Sequence, residues 1–212
     1  MITKAPGPDE RIELGEGMDP VLASYYRLMR LKRLYRQGWL KRGIPRDICE
    51  SVAEHSFGTA ILALLLARGE GGLDLGKATL MALVHEMGES YAGDITPVDG
   101  VPAAEKRRLE SEAIGKALAG LPDADWLLGI WEEFEACESP EARFVRQLDR
   151  LEMGLEASLL NAEGFPGMGE FFASARRSVS DPPLRRLLEE AIEASGKALG
   201  AASEGSAASG GD

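Results

Sequence analysis

The stretch 81-MALVHEMGESYAGD-94 decides how this chain is read, because an apolar helix runs there into a polar turn rich in reactive side chains. Leu80, Leu83, Val84 and Met87 recur at three- and four-residue steps, which predicts a buried helical face and sets His85 and Glu86 inside a core helix. Glu89 lies four residues beyond His85 and three beyond Glu86, so on a helix its carboxylate shares their neighbourhood. Adjacent helical residues diverge by about 100°. His85 and Glu86 therefore reach one ion only where long side chains converge or the helix distorts near its end, and Gly88 and Gly93 make distortion cheaper. By itself the His-Glu pair has two readings, a histidine satisfied within the core or a metal ligand.

Working outward, 212 residues suffice for one sizeable core, and a single domain is the expectation. Ala, Leu, Glu and Arg dominate while β-branched residues are sparse, which favours helices. MITKAPGPDE contains no apolar stretch, and the strongest apolar run, Ala60 to Ala67, is too short to span a bilayer. A cytoplasmic protein with no membrane partner is expected. Cys49 and Cys137 stand apart, without metal-binding spacing or a disulfide framework.

A formal net charge of -11 argues against long DNA or RNA as a partner. The charge is unevenly spread, since Arg27, Arg30, Lys32, Arg33, Arg36, Lys41, Arg42 and Arg46 fall between Val21 and Arg46 with no acidic residue among them. Screening over about 8 Å at physiological salt lets a small anion sense that segment more than the distant acidic surface. A compact phosphate ligand is allowed; a solvated basic helix face is the plainer alternative.

Residues 1–17 are rich in Gly, Pro and charge and read as a flexible lead-in. Asp19-Pro20 signals a helix start, with the helix running to about Gln37. Ser51 with Glu54 resembles a capping box ahead of an apolar helix from Val52 to Arg68, with His55 in its first turn. Asp74 caps the helix carrying the opening stretch, and further helices are predicted from Pro102 to about Ala119, from Pro122 through Ala136, and from Ser139-Pro140-Glu141 to about Asn161. Two shorter helices near 168–178 and 183–198 complete an all-α domain over 18–199, and 200–212 is a Gly/Ala/Ser-rich tail expected to be disordered.

Only two histidines occur, each beside an acid on an apolar helix, as Glu54-His55 and His85-Glu86. Imidazole with carboxylate oxygen suits divalent transition metals such as Mn, Fe, Co, Ni or Zn. Asp149, in FVRQLDRLEM, lies on a helix whose Phe144, Val145, Leu148, Leu151 and Met153 point inward, where an acid is expensive unless paired or bound to a cation. A salt bridge to Arg146 or Arg150 is the competing account.

In order, His55, His85-Glu86 and Asp149 resemble the His, His-Asp, Asp metal signature of the HD-domain phosphohydrolases. The blocks LKRLYRQGW (31–39), ESVAEHSF (50–57), ALVHEMGE (82–89), GDITP (93–97) and IWEEFEACESPEARFVRQLDRLEM (130–153) are similar to the 5′-deoxynucleotidase branch of that superfamily. The likeness runs from about Leu31 to Ala157. It implies an HD-domain bundle of about six to eight helices, one divalent metal, removal of the 5′-phosphate from deoxyribonucleoside monophosphates, and a homodimer. By position it implies His55, His85, Glu86 and Asp149 as metal ligands, Glu89 and Asp94 as catalytic acids, and Arg36 as substrate-binding, with Arg33 and Arg42 as neighbouring alternatives.

The family's namesake aspartate is Glu86 here, longer by one methylene. Either carboxylate binds such metals at similar bond lengths, but a reactive group displaced by about 1 Å costs on the order of a hundredfold in rate. The alternative is therefore a catalytically impaired HD-fold metal-binding or interaction protein. A di-iron oxygenase on the same fold needs further ligands, and there is no third histidine to supply them.

Overall fold

The computed structural model describes residues 17–66 and 72–209, with side chains through 200. The lead-in over 1–16, the end of the helix predicted to reach Arg68, and the last three residues lie outside the described residues. The fold is all-α, as expected, and the only bridge between extended segments among the described residues is the isolated antiparallel pair Tyr35–Ser51. The chain divides into two compact units, Met1–Arg143 and Phe144–Asp212.

In the first unit, α1 (Pro20–Leu28) begins where Asp19 accepts hydrogen bonds from the backbone N–H of Val21 and Leu22, at 2.9 and 3.3 Å. The predicted continuation to Gln37 does not form. A 3-10 turn (Met29–Arg33) leads instead into extended backbone, and a short helix α2 (Gln37–Leu40) follows. Tertiary contacts override helix propensity at this point. Arg36 N–H donates to the Glu50 carbonyl and Val52 N–H to the Leu34 carbonyl, while Leu31, Leu34 and Val52 close a small apolar cluster.

α3 (Val52–Leu66) begins with the predicted capping box: Ser51 N–H donates to Glu54 Oε2 at 2.5 Å and Glu54 N–H to Ser51 Oγ at 3.2 Å. Its buried residues Val52, His55, Ser56, Thr59, Ala60 and Ala63 follow helical steps, so His55 lies on the core face. α4 (Leu75–Val84), capped by Asp74 Oδ1 accepting from Lys77 N–H at 2.9 Å, packs against α3. Its inward residues are Ala78, Met81, Ala82 and Val84, whereas Leu83, predicted to be buried, is 47% exposed. The buried face of α4 is thus rotated away from Leu83, onto Ala78, Met81, Ala82 and Val84.

α5 (Glu89–Ala92) packs against α6 (Ala103–Ala117), and α7 (Ala124–Ala136) packs on α4. Ile114, Leu118 and Trp131 form a core cluster joined by Leu28, Met87 and Leu128. Burying side chains of this size contributes roughly 1.5–3 kcal/mol each.

α8 (Pro140–Ala162) supplies the second unit with buried Val145, Leu148, Leu151 and Ala157. α9 (Gly169–Ser178) and α10 (Pro182–Ser209) pack together there. A Cβ on Gly154 of α8 would come 2.6 Å from Leu188 Cδ1 and 3.1 Å from Ala175 Cβ, so glycine is what lets both later helices approach. α10 continues to Ser209, so the Ala-rich backbone over 200–209 is helical where composition alone predicts disorder.

Candidate metal and phosphate site

The helix carrying the opening motif stops at Val84, one residue before the histidine. Met87 N–H then bonds the Val84 carbonyl and Glu89 N–H the Glu86 carbonyl, three-residue steps that tighten the chain before α5 begins. This is the distortion that adjacent residues need if both are to face one point, and His85 and Glu86 do converge. Gly88 has an ordinary helical backbone, so its role is space rather than freedom. A Cβ there would stand 2.7 Å from Glu110 Cβ and 3.0 Å from the Glu110 carbonyl oxygen. Gly93, at φ 85°, is where backbone freedom is used, ending α5 and redirecting the chain to Asp94.

Glu86 Oε1 lies 3.6 Å from His85 Nε2 and 3.8 Å from His55 Nε2, and the two imidazole rings are 5.5 Å apart edge to face. Both rings are buried. His85 Nδ1 donates to the Ala82 carbonyl at 2.7 Å, which assigns the proton to that nitrogen and gives Nε2 its lone pair toward the carboxylate. The ligand-capable atoms of His55, His85 and Glu86 all lie within 4.8 Å of one another. Two ligands each about 2.1 Å from a tetrahedral ion stand about 3.4 Å apart, so the donor set fits a divalent transition metal.

Arg36 reaches the same carboxylate from the extended segment before α2. Its Nη1 is 3.3 Å from Glu86 Oε1 and 4.0 Å from Asp94 Oδ1, and its Nε is 3.9 Å from Glu50 Oε1. Burial alone would disfavour the guanidinium charge, but Asp94, Glu86, Glu89 and Glu50 hold it fully protonated. Of the two neighbouring alternatives, Arg33 is exposed. Asp94 also accepts the Gln37 backbone N–H at 2.5 Å, so it caps α2 and fixes the segment that carries Arg36.

Glu89 is 1% exposed, and its Oε2 has no hydrogen-bond partner among the described residues. Burial first, then repulsion from Glu86 and Asp94, raise its carboxyl well above the usual range, with Arg36 and Lys106 opposing. Asp149, in the second unit, is 5% exposed on α8, and Arg150 Nε lies 3.4 Å from its Oδ2, one of the two salt-bridge partners weighed for it.

Three participants escaped the sequence reading. Glu50 accepts the Trp39 indole N–H at 2.8 Å beside Arg36, and in sequence it is one more acid directly before the helix-capping Ser51. Lys106 and Glu110 form an i,i+4 pair on α6, which in sequence looks like any surface helix pair.

The HD-domain family profile matches residues 28–189. A curated relative from Bos taurus, "5′-deoxynucleotidase HDDC2", is 38% identical over 189 residues, covering 86% of this chain and 90% of its own. The Homo sapiens protein of that name is 37% identical over 174 residues, covering 80% and 83%. A solved structure of a conserved hypothetical protein from Pyrococcus furiosus superposes with a TM-score of 0.68 at 27% identity, covering 81% of this chain and 99% of that one.

Proposed function

The chain belongs to the HD-domain family, and on that premise we propose that it is a metal-dependent phosphomonoester hydrolase removing the 5′-phosphate of deoxyribonucleoside monophosphates. The observation that carries the proposal is the convergence of Glu86 Oε1 with the two imidazole Nε2 atoms, at 3.6 and 3.8 Å, beside Arg36. His55, His85 and Glu86 hold the metal in this proposal. Asp149 is the fourth ligand, supported by its place in the family's block and by the cost of burying a carboxylate without a cation. The substrate class is supported by the names of the curated relatives.

A bound divalent ion supplies Lewis-acid polarisation of a phosphate oxygen and acidifies water. The protein's own groups do the rest. Arg36 holds the phosphate with charge-assisted hydrogen bonds. Glu89, buried beside Glu86 and Asp94, takes a proton as the water oxygen bonds to phosphorus. Asp94 delivers a proton to the 5′ oxygen as the P–O bond breaks, yielding a deoxynucleoside and inorganic phosphate. The inverse assignment of these two acids is distinguishable by leaving-group dependence.

A small nucleotide rather than a long nucleic acid is the partner in this proposal, and the net charge of -11 supports it. A homodimer follows from the family resemblance. Two free cysteines agree with a cytoplasmic setting, and among the described residues no helix is long and apolar enough to cross a membrane.

Phosphate release from the four deoxynucleoside monophosphates and their ribose counterparts, with Mn or Co added, tests the proposal. Release from the deoxy forms is expected. Inert wild type alongside an active Glu86→Asp variant would instead favour the catalytically impaired scaffold.

A further inference from the structure

The carboxylate cluster has a second cation that the mechanism above leaves unused. Lys106 lies on α6 with its Nζ 3.3 Å from Glu110 Oε1. Glu110 is pressed against Gly88, the residue just before Glu89 and two after Glu86, closely enough that a Cβ there would have no room. The α6 pair therefore abuts the turn from which the proposed ligand and the proposed base both project. We infer that Lys106, together with Arg36, binds the phosphate of the substrate. The inference rests on the phosphohydrolase function proposed above and adds a recognition residue to it.

Arg36 and Lys106 come from different elements yet answer to the same three carboxylates, Glu86, Glu89 and Asp94. Burial disfavours the Lys106 charge, but Glu110 and those three acids hold its ammonium above the ordinary lysine range. The side chain stays 37% exposed, so a solute can reach the head while the stem is covered. Its pairing is also looser than those of Lys41, 2.6 Å from Asp99, and Lys77, 2.7 Å from Glu133. An ammonium carries three donors, so one partner leaves capacity for phosphate oxygens.

Charge balance gives the second cation its purpose. Glu50, Glu86, Glu89, Asp94 and Glu110 gather around Arg36 and Lys106, and a phosphate dianion entering such a field is repelled unless fixed cations meet it. A metal ion and one arginine leave acids in excess. Lys106 reduces that excess and gives the phosphate a contact on α6.

The competing account is structural, with Lys106 serving only to neutralise buried Glu110. Four proteins separate the two: wild type, Lys106→Met, Lys106→Arg, and Lys106→Met with Glu110→Gln. Each is tested for KM and kcat on a deoxynucleoside monophosphate and for competitive inhibition by inorganic phosphate, with metal content and melting temperature alongside. A charge-assisted contact is worth about 10- to 100-fold in binding, so Lys106→Met should raise KM and the phosphate inhibition constant by at least tenfold with metal content retained. Lys106→Arg should recover most of the loss, and Glu110→Gln should not. Unchanged KM and phosphate inhibition in Lys106→Met, or full rescue by Glu110→Gln, would overturn the inference. Failure of wild type to release phosphate from any nucleotide would instead strike the proposed function, and calorimetric titration of inorganic phosphate into wild type and Lys106→Met would still decide the contribution of Lys106.

Discussion

Gly88 and Glu110 touch so closely that the α-hydrogen of one occupies the only space a side chain would need: a Cβ at Gly88 would fall 2.7 Å from Glu110 Cβ and 3.2 Å from its Cα. The neighbour is the root of a side chain and its backbone, which cannot swing aside. The turn holding Glu86 and Glu89 is thereby pinned to α6. Gly88→Ala should push the two apart, costing about 1–3 kcal/mol of stability. The same change should lower turnover by about a hundredfold through misplacement of Glu89. Urea denaturation and phosphate-release kinetics check the two halves separately.

Removing one imidazole from the cluster should remove the ion. His55→Ala is expected to lose bound metal in elemental analysis of dialysed protein, whereas Glu89→Ala should retain it and lose turnover. Full metal content in His55→Ala would strike His55 from the ligand set.

The two proposed proton carriers differ in how they depend on the leaving group. A nitrophenyl ester departs without protonation, so Asp94→Asn should lose activity on deoxynucleotides by about 10²–10⁴-fold while keeping much of it on nitrophenyl phosphate. Glu89→Gln should be impaired on both. The reverse pattern would exchange the roles. Because Asp94 also caps the segment bearing Arg36, its asparagine variant preserves the acceptor oxygen toward Gln37 N–H, and KM should change little.

Stability should fall as pH rises from about 4.5 to about 7, through the titration of Glu110. Burial, repulsion from Glu86 and Glu135, and only partial relief from Lys106 raise this carboxyl from 4.5 to about 7. A group whose pKa is higher folded than unfolded contributes stability fully below the unfolded value and loses it as pH passes the folded one. The difference amounts to about 3 kcal/mol at most. Glu110→Gln should match wild type near pH 4.5, exceed it at pH 8, and flatten the decline between them in urea titrations. A parallel pair of pH profiles would refute the assignment.

Much of this molecule was legible before folding. Asp19, Ser51 with Glu54, and Asp74 each cap the helix their positions predict, because capping depends on residues two or three apart. The two histidines and Glu86, which converge in the fold, stand in ordered motif blocks, and the proposals for Asp149, Glu89 and Asp94 come from the same blocks. Local information failed where long-range contacts outweighed propensity. The helix predicted through Gln37 breaks because Leu34 and Arg36 bond the backbone of Val52 and Glu50, a pairing no short window contains. Leu83 faces outward because packing buries the face of α4 that carries Ala78, Met81, Ala82 and Val84 instead.

The sequence by itself determined the all-α class, the helix starts and the identities of the metal-binding candidates, since these follow from periodicity, capping chemistry and motif order. Only the tertiary structure decided that the helix ends at Val84, bringing Glu86 to both imidazoles, that Gly88 is needed for space, and that Lys106 and Glu110 join the cluster. Those outcomes depend on which surfaces meet, and the energy of packing distant residues is not written in the spacing of near ones.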